Sequence, residues 1–224
     1  MTMHDTTTRA SATTANGSFI GSARGSMTAE WATRAVAEHL SGVRPVLEAL
    51  DREAGHLAEW ARQLAERLEA GGRLLIAGNG GSAAEAQHLS AEFVGRFRLD
   101  RRPYAAIALN TDTSALTAIG NDYGYAEVFA RQVRAHARPG DVVLLLSTSG
   151  SSPNLLAAAQ AATESRATSW AITGAAPNPL ATACDDAIAL PGAAANVQEA
   201  ELVAVHALCV AFDALVGAEE QVVR

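Results

Sequence analysis

Five short apolar runs, at residues 74–77, 105–109, 142–146, 170–173 and 187–190, recur along the chain with helical stretches between most of them. Apolar runs of this length without polar alternation are strands covered on both faces. Strands alternating with helices imply a parallel sheet with helices on either side. Helices are predicted over 82–97, 126–137 and 154–166, with a short one near Leu180 and a last one over 197–217. The expected class is therefore α/β: a five-stranded parallel sheet flanked by helices. Ahead of the first strand, Trp31, Ala35, Leu40, Val46, Leu47, Leu50, Leu57, Ala61, Leu64 and Leu68 recur at three- and four-residue steps. Two N-terminal helices follow, separated at Pro45, the second ended by Gly71-Gly72. Residues 1–26 are rich in Thr, Ser, Ala and Gly and read as a disordered tail, which leaves 27–224 as a single domain.

Composition narrows the class of function. A charge of -7 argues against nucleic-acid binding. Arg96, Arg98, Arg101 and Arg102 form one local basic run, read as a solvated loop. Cys184 and Cys209 are too few for a disulfide framework and are expected as buried free thiols. No run reaches the length of a membrane span, and the start lacks a secretory pattern, so a cytoplasmic location is expected.

In open parallel sheets the ligand lies at the carboxyl ends of the strands. The first run leads into Gly78-Asn79-Gly80-Gly81-Ser82 and then a helix. Glycines allow close backbone approach and Ser82 is a good N-cap, so either an anion site or a plain tight turn fits. The third run leads into Ser147-Thr148-Ser149-Gly150-Ser151-Ser152, five hydroxyls in six residues before another helix. Neutral donors and a helix N-terminus in that position read as a phosphate site. After the second run come Asn110-Thr111-Asp112-Thr113 and Gly120-Asn121-Asp122, where Asp112 and Asp122 are either helix caps or catalytic acids.

His88 and Glu92 stand four apart on the helix behind the glycine loop, on one face. That spacing serves a metal site or a surface hydrogen bond. On the last helix Gln198 and His206 are the remaining polar candidates, with His206 among Val203, Val205, Leu208 and Cys209, as a core histidine would be. Glu199, Glu201 and Asp213 read as solvated charges.

These motifs, in this order over residues 30–217, resemble the phosphoheptose isomerases of the sugar isomerase (SIS) fold family. The resemblance implies conversion of sedoheptulose 7-phosphate to D-glycero-D-manno-heptose 7-phosphate through an enediol(ate), the first step toward nucleotide-heptose. It implies a homotetramer, an acid/base pair at Glu92 and His206, and one zinc ion per subunit at His88, Glu92, Gln198 and His206. Ser147, Thr148, Ser149 and Ser152 fall where the family binds phosphate. Asn79, Gly80, Gly81, Ser82, Thr111, Asp112 and Gln198, with Glu92, fall where it binds the rest of the substrate. Asn196 stands where relatives usually carry Arg, and Glu201 where many carry His. Gln198 and His206 are eight residues apart, about 12 Å along a straight helix. To meet at one ion within a chain both side chains must stretch toward each other; a neighbouring subunit supplying one of them is the expectation, with the active site at a subunit interface. Two other readings stand beside the enzyme: a replication-initiator-associating protein of the same fold, which lacks the acid and imidazole at 92 and 206, and an isomerase for another sugar phosphate.

Overall fold

The apolar runs do form strands. In the computed structural model, which describes residues 29–217, β1 (Leu74–Gly78), β2 (Ala106–Ala108), β3 (Val142–Ser147), β4 (Thr168–Thr173) and β5 (Asp186–Ala189) make one wholly parallel sheet in the order β2-β1-β3-β4-β5. The tail assigned to residues 1–26 lies outside the described residues. Contacts divide the chain into units Met1–Val36 and Ala37–Arg224. Of the first, the described part is the opening of helix α1 (Ala29–Arg52), and everything that follows concerns the second.

Side chains alternate across the sheet with period two, and both faces are covered. Leu74, Ile76, Val142, Leu144, Leu146, Trp170 and Ile172 point into one core, with α2 (Ala54–Glu69), α3 (Gly81–Val94) and α8 (Ala194–Leu215). Leu75, Ala77, Val143, Leu145 and Ala171 point into the other, with α5 (Ala130–His136), α6 (Pro153–Glu164) and α7 (Pro179–Ala183). In the first core Trp60 stacks on Trp170 with ring centroids 4.7 Å apart, a contact of about 0.5–1.5 kcal/mol beyond burial.

Three local expectations are corrected. Pro45 does not separate two helices; α1 runs through it, and the break falls at Glu53. Proline in a helix interior costs about 3 kcal/mol, and here Val46, Ala49 and Leu50, all buried, hold the helix against the core. Residues Thr113–Tyr123 form a helix, α4, absent from the predicted helices although a cap at Asp112 was one reading; none of its side chains is fully buried, and only Leu116 and Ile119 pack partly against the second core. The helix expected over 126–137 is a 3₁₀ turn, Tyr125–Glu127, followed by α5.

The order β2-β1-β3 sends the chain outward in opposite directions from β1 and β3, and such a switch point opens a crevice. Gly78 pairs with Leu146, so the glycine loop after β1 and the serine loop after β3 leave the sheet at one level. The fold places both candidate loops at that crevice.

Candidate active site

The glycine loop is shaped by what approaches it. Gly80, at φ +57°, occupies the left-handed region that glycine adopts without strain. A Cβ on Gly81 would lie 1.6 Å from the amide nitrogen of Gln198, so only glycine lets α8 come this close. Asn79 then leaves the crevice floor toward the serine loop. Its amide and that of Asn154 pair reciprocally, at 2.9 and 2.8 Å, and the Tyr125 hydroxyl donates to Asn79 Oδ1 at 3.3 Å.

Opposite it, Gly150 turns the serine loop at φ +60° beneath Asn178. Ser147 is buried, and its Oγ accepts from the Gly150 amide at 3.1 Å. The Ser152 carbonyl accepts from the amides of Leu155 and Leu156, while its hydroxyl makes no capping bond. The first turn of α6 thus keeps hydroxyls beside its positive end, with no Lys or Arg in the loop.

After β2, Asp112 takes the cap reading: its Oδ1 accepts from the Ala115 amide at 2.9 Å and starts α4. Thr111 Oγ1 donates back to the Ala108 carbonyl at 2.8 Å. Both are exposed at the mouth of the crevice. Asp122, near the end of α4, accepts from the Asn121 amide at 2.8 Å.

Two turns along α3 the polar side chains converge. His88 Nε2 lies 3.3 Å from Glu92 Oε1 and 2.7 Å from His206 Nε2 on α8. One donor atom from each of the three lies within 4.8 Å of the others. The His206 ring sits between those of His88 and Phe97, at centroid distances of 4.9 and 5.1 Å. Burial, then the neighbouring His88, presses the His206 pKa below its ordinary value against the opposing pull of Glu92. The His88 side chain is 41% exposed and that of Glu92 18%, so the cluster is open on one side. His206 is therefore half-buried in a polar cluster rather than a core histidine.

Two imidazoles and a carboxylate suit a borderline divalent ion such as zinc. Bonds of about 2.0–2.1 Å set tetrahedral donors about 3.3 Å apart, which the His88–Glu92 separation already meets. The two imidazoles stand closer, at the hydrogen-bonding distance of 2.7 Å, and would have to part by about 0.6 Å to admit an ion in that geometry. Gln198 is not in this cluster within one chain. Its amide packs on Gly81, seven residues before His88 and so roughly 10 Å away along α3.

Several charges expected in solvent are inside. Glu201 is fully buried, and its Oε2 accepts from the Ser82 hydroxyl at 2.7 Å, while Oε1 has no partner. Burial above all, with Glu85 adding to it, pushes the Glu201 carboxyl up to about 7. Ser82 is correspondingly 5% exposed and turned to α8, not to the crevice where the substrate was expected. Arg101 and Asp213 form a buried ion pair at 2.7 Å. Only tertiary contact makes these positions internal; the one hint in the sequence is a lone Asp213 in an apolar stretch, which calls for a buried partner. Asn154 and Tyr125 were also missed, because their role is to hold Asn79 across a gap in sequence. Cys209 is buried and Cys184 half-buried, and burial pushes both thiols up to about 12.

A family model described as SIS domain matches residues 38–174. With five parallel strands and hydroxyl-rich loops at their carboxyl ends, the chain is an SIS-domain protein of the α/β class. The phosphoheptose isomerase of Streptomyces coelicolor is 56% identical over 180 residues, 80% of this chain and 78% of that one. That of Thiobacillus denitrificans is 45% identical over 192 residues, 84% and 98% of the two chains. A solved phosphoheptose isomerase from Francisella tularensis has a TM-score of 0.77 at 32% identity, covering 82% of this chain and 98% of its own. One from Neisseria gonorrhoeae gives 0.75 at 39% identity, with the same coverage. The chain belongs to the phosphoheptose isomerase family, and it is an isomerase of heptose phosphate metabolism.

Proposed function

We propose that the chain interconverts D-sedoheptulose 7-phosphate and D-glycero-D-manno-heptose 7-phosphate with Glu92 and His206 as its acid/base pair. The observation that carries the reading is the convergence of these two side chains, from helices far apart in sequence, on one partly open cluster. The ketose bears a carbonyl at C2 and two hydrogens at C1. Glu92 takes one proton from C1, which leaves an enediol(ate), and returns it to C2. His206, held neutral by burial, passes the O1 proton to O2. Carbon and oxygen protons each move by one atom, and nothing is oxidised overall.

Ser147, Thr148, Ser149 and Ser152 hold the phosphate with hydroxyls and the α6 N-terminus, with no ionic clamp. Asn79, Gly80, Gly81, Thr111 and Asp112 line the sugar chain. Ser82 serves from behind, fixing the start of α3 on α8. A zinc ion at His88, Glu92 and His206 supplies Lewis-acid polarisation of the substrate oxygens when bound.

Gln198 belongs to the same chemistry through assembly. In its own chain it contacts Gly81, so in a homotetramer it completes the cluster or the sugar site of a neighbouring subunit. Exposed Leu40, Val203 and Val210 on α1 and α8 give such an assembly apolar surface. No helix among the described residues is long and apolar enough to cross a membrane, in keeping with a cytoplasmic enzyme.

The test is turnover of sedoheptulose 7-phosphate by wild type and Glu92→Gln, with metal content measured on both. Heptose 7-phosphate from wild type and almost none from the variant supports the assignment. Wild type that stays inactive after zinc loading returns the chain to a binding role or another sugar phosphate.

A further inference from the structure

Within the Arg-rich run 96–102, Arg101 departs from the solvated loop expected there. Its side chain is 3% exposed, and its guanidinium stands 5.7, 5.4 and 5.5 Å from the ring centroids of Phe93, Tyr104 and Phe212. Nε donates to Asp213 Oδ1 at 2.7 Å. One terminal nitrogen donates to the carbonyl of Glu92 at 2.8 Å. The other donates to the carbonyls of Phe93 and Arg102 at 3.1 and 3.2 Å. α3 ends at Val94, so the Glu92 and Phe93 carbonyls are among those left without a partner inside the helix. Asp213 lies seven residues beyond His206, two turns on along the same side of α8. One planar group therefore grips the backbone of the residue that bears the carboxylate and the helix that bears the imidazole.

We infer that Arg101 is a positioning residue for the reaction, setting the height and rotation of Glu92 against His206 through the Glu92 carbonyl and Asp213. The inference rests on the reading of Glu92 and His206 as the acid/base pair. At the other end of the same helix pair, Ser82 and Glu201 fasten the start of α3 to α8. The cluster lies between these two fastenings, and Arg101 acts on the Glu92 peptide itself. A buried ion pair is weak support for stability, because desolvation offsets its attraction. The rigid planar guanidinium, in contrast, with one bond to Asp213 Oδ1 and others to the Glu92 and Phe93 carbonyls, defines where two helices stand. A displacement of about 1 Å at reacting groups costs on the order of 10²-fold in rate.

The double variant Arg101→Met/Asp213→Leu tests this, because it leaves neither charge buried alone. A thermal midpoint within about 5 °C of wild type is expected, with KM within about 3-fold and kcat lower by about 10²-fold. Arg101→Lys, which keeps the charge but loses the fork, is expected to recover part of that loss. A folded double variant with kcat within about 3-fold of wild type overturns the inference. Should it not fold, Asp213→Asn keeps the shape; kcat lower by about 10-fold at unchanged KM supports the role, and unchanged kcat refutes it. Glu92→Gln is measured alongside. If it retains wild-type kcat, the acid/base reading has failed. If it is inactive while the folded double variant runs at full rate, only the positioning role has failed.

Discussion

Nε2 of His88 and Nε2 of His206 lie 2.7 Å apart, so one of these nitrogens must donate and the other accept. Two protonated nitrogens cannot face each other at that distance. His206, whose pKa burial holds down, suits the accepting role and stays neutral to a pH below its ordinary 6.5. His206→Asn is therefore expected to lower kcat by about 10²–10⁴-fold with a small change in KM. In wild type the acid limb of the kcat/KM profile, which reports the free enzyme, should fall below pH 6.5, since activity is lost as the ring gains its proton. A profile flat from pH 5 to 8 in kinetic measurements would remove the imidazole from the proton path.

The same cluster predicts metal retention. Wild type dialysed against zinc and then against buffer should keep about one ion per chain, with affinity lowered in His88→Ala and His206→Ala by at least about 10-fold. Elemental analysis and a competitive chelator measure it without reference to turnover. Equal retention by all three proteins would mean that the ion, if any, sits elsewhere.

Asn79 and Asn154 brace the two loops against each other through a reciprocal amide pair. In Asn154→Ala the Asn79 amide loses its two bonds to Asn154 and keeps the one from Tyr125, at a cost of about 1–3 kcal/mol. The expected result is KM raised about 10-fold or more, and a matching loss of affinity for inorganic phosphate, with kcat less affected. Calorimetric titration with phosphate separates this from a general loss of fold; undiminished phosphate affinity would rule out the brace.

Glu201 sets a pH dependence of stability. Its folded-state pKa, about 7, is above the ordinary 4.5, so the folded protein holds this proton more tightly than the unfolded chain. The contribution is fully present below pH 4.5 and is lost as pH rises through about 7. Glu201→Gln keeps the shape and never ionises. Its thermal midpoint should gain on wild type steadily between pH 5 and 8. A constant difference over that range would show that Glu201 is ionised throughout.

The serine loop yields the last expectation. Thr148→Ala/Ser152→Ala removes two neutral donors, each worth about 1.5–3 kcal/mol toward a charged ligand. KM for the sugar phosphate should rise by at least about 10-fold while kcat stays within about 3-fold. A fall in kcat at constant KM would place the loop in the chemistry rather than in phosphate binding.

The strands, their parallel direction and the two loops at their carboxyl ends were determined by the sequence alone; their order in the sheet came from the structure. Continuous apolar runs and glycine- or hydroxyl-rich turns are local signals, written within a few residues of where they act. His88 with Glu92 belongs to the same kind, since a four-residue step on a helix is geometry in itself. Partnership across distance was not written in local pattern; only the family resemblance set His206 with His88 and Glu92. Nothing local brings His206 to His88, sets Gln198 on Gly81 rather than beside the imidazoles, or moves Glu201, Arg101 and Asp213 from solvent to the interior. Local propensity also misjudged Pro45 and left α4 out: packing of Val46 and Leu50 outweighs one lost hydrogen bond, and α4 turns only Leu116 and Ile119 partly to the core. Burial and charge pairing depend on which surfaces meet, and only the packing of α3 against α8 decides that.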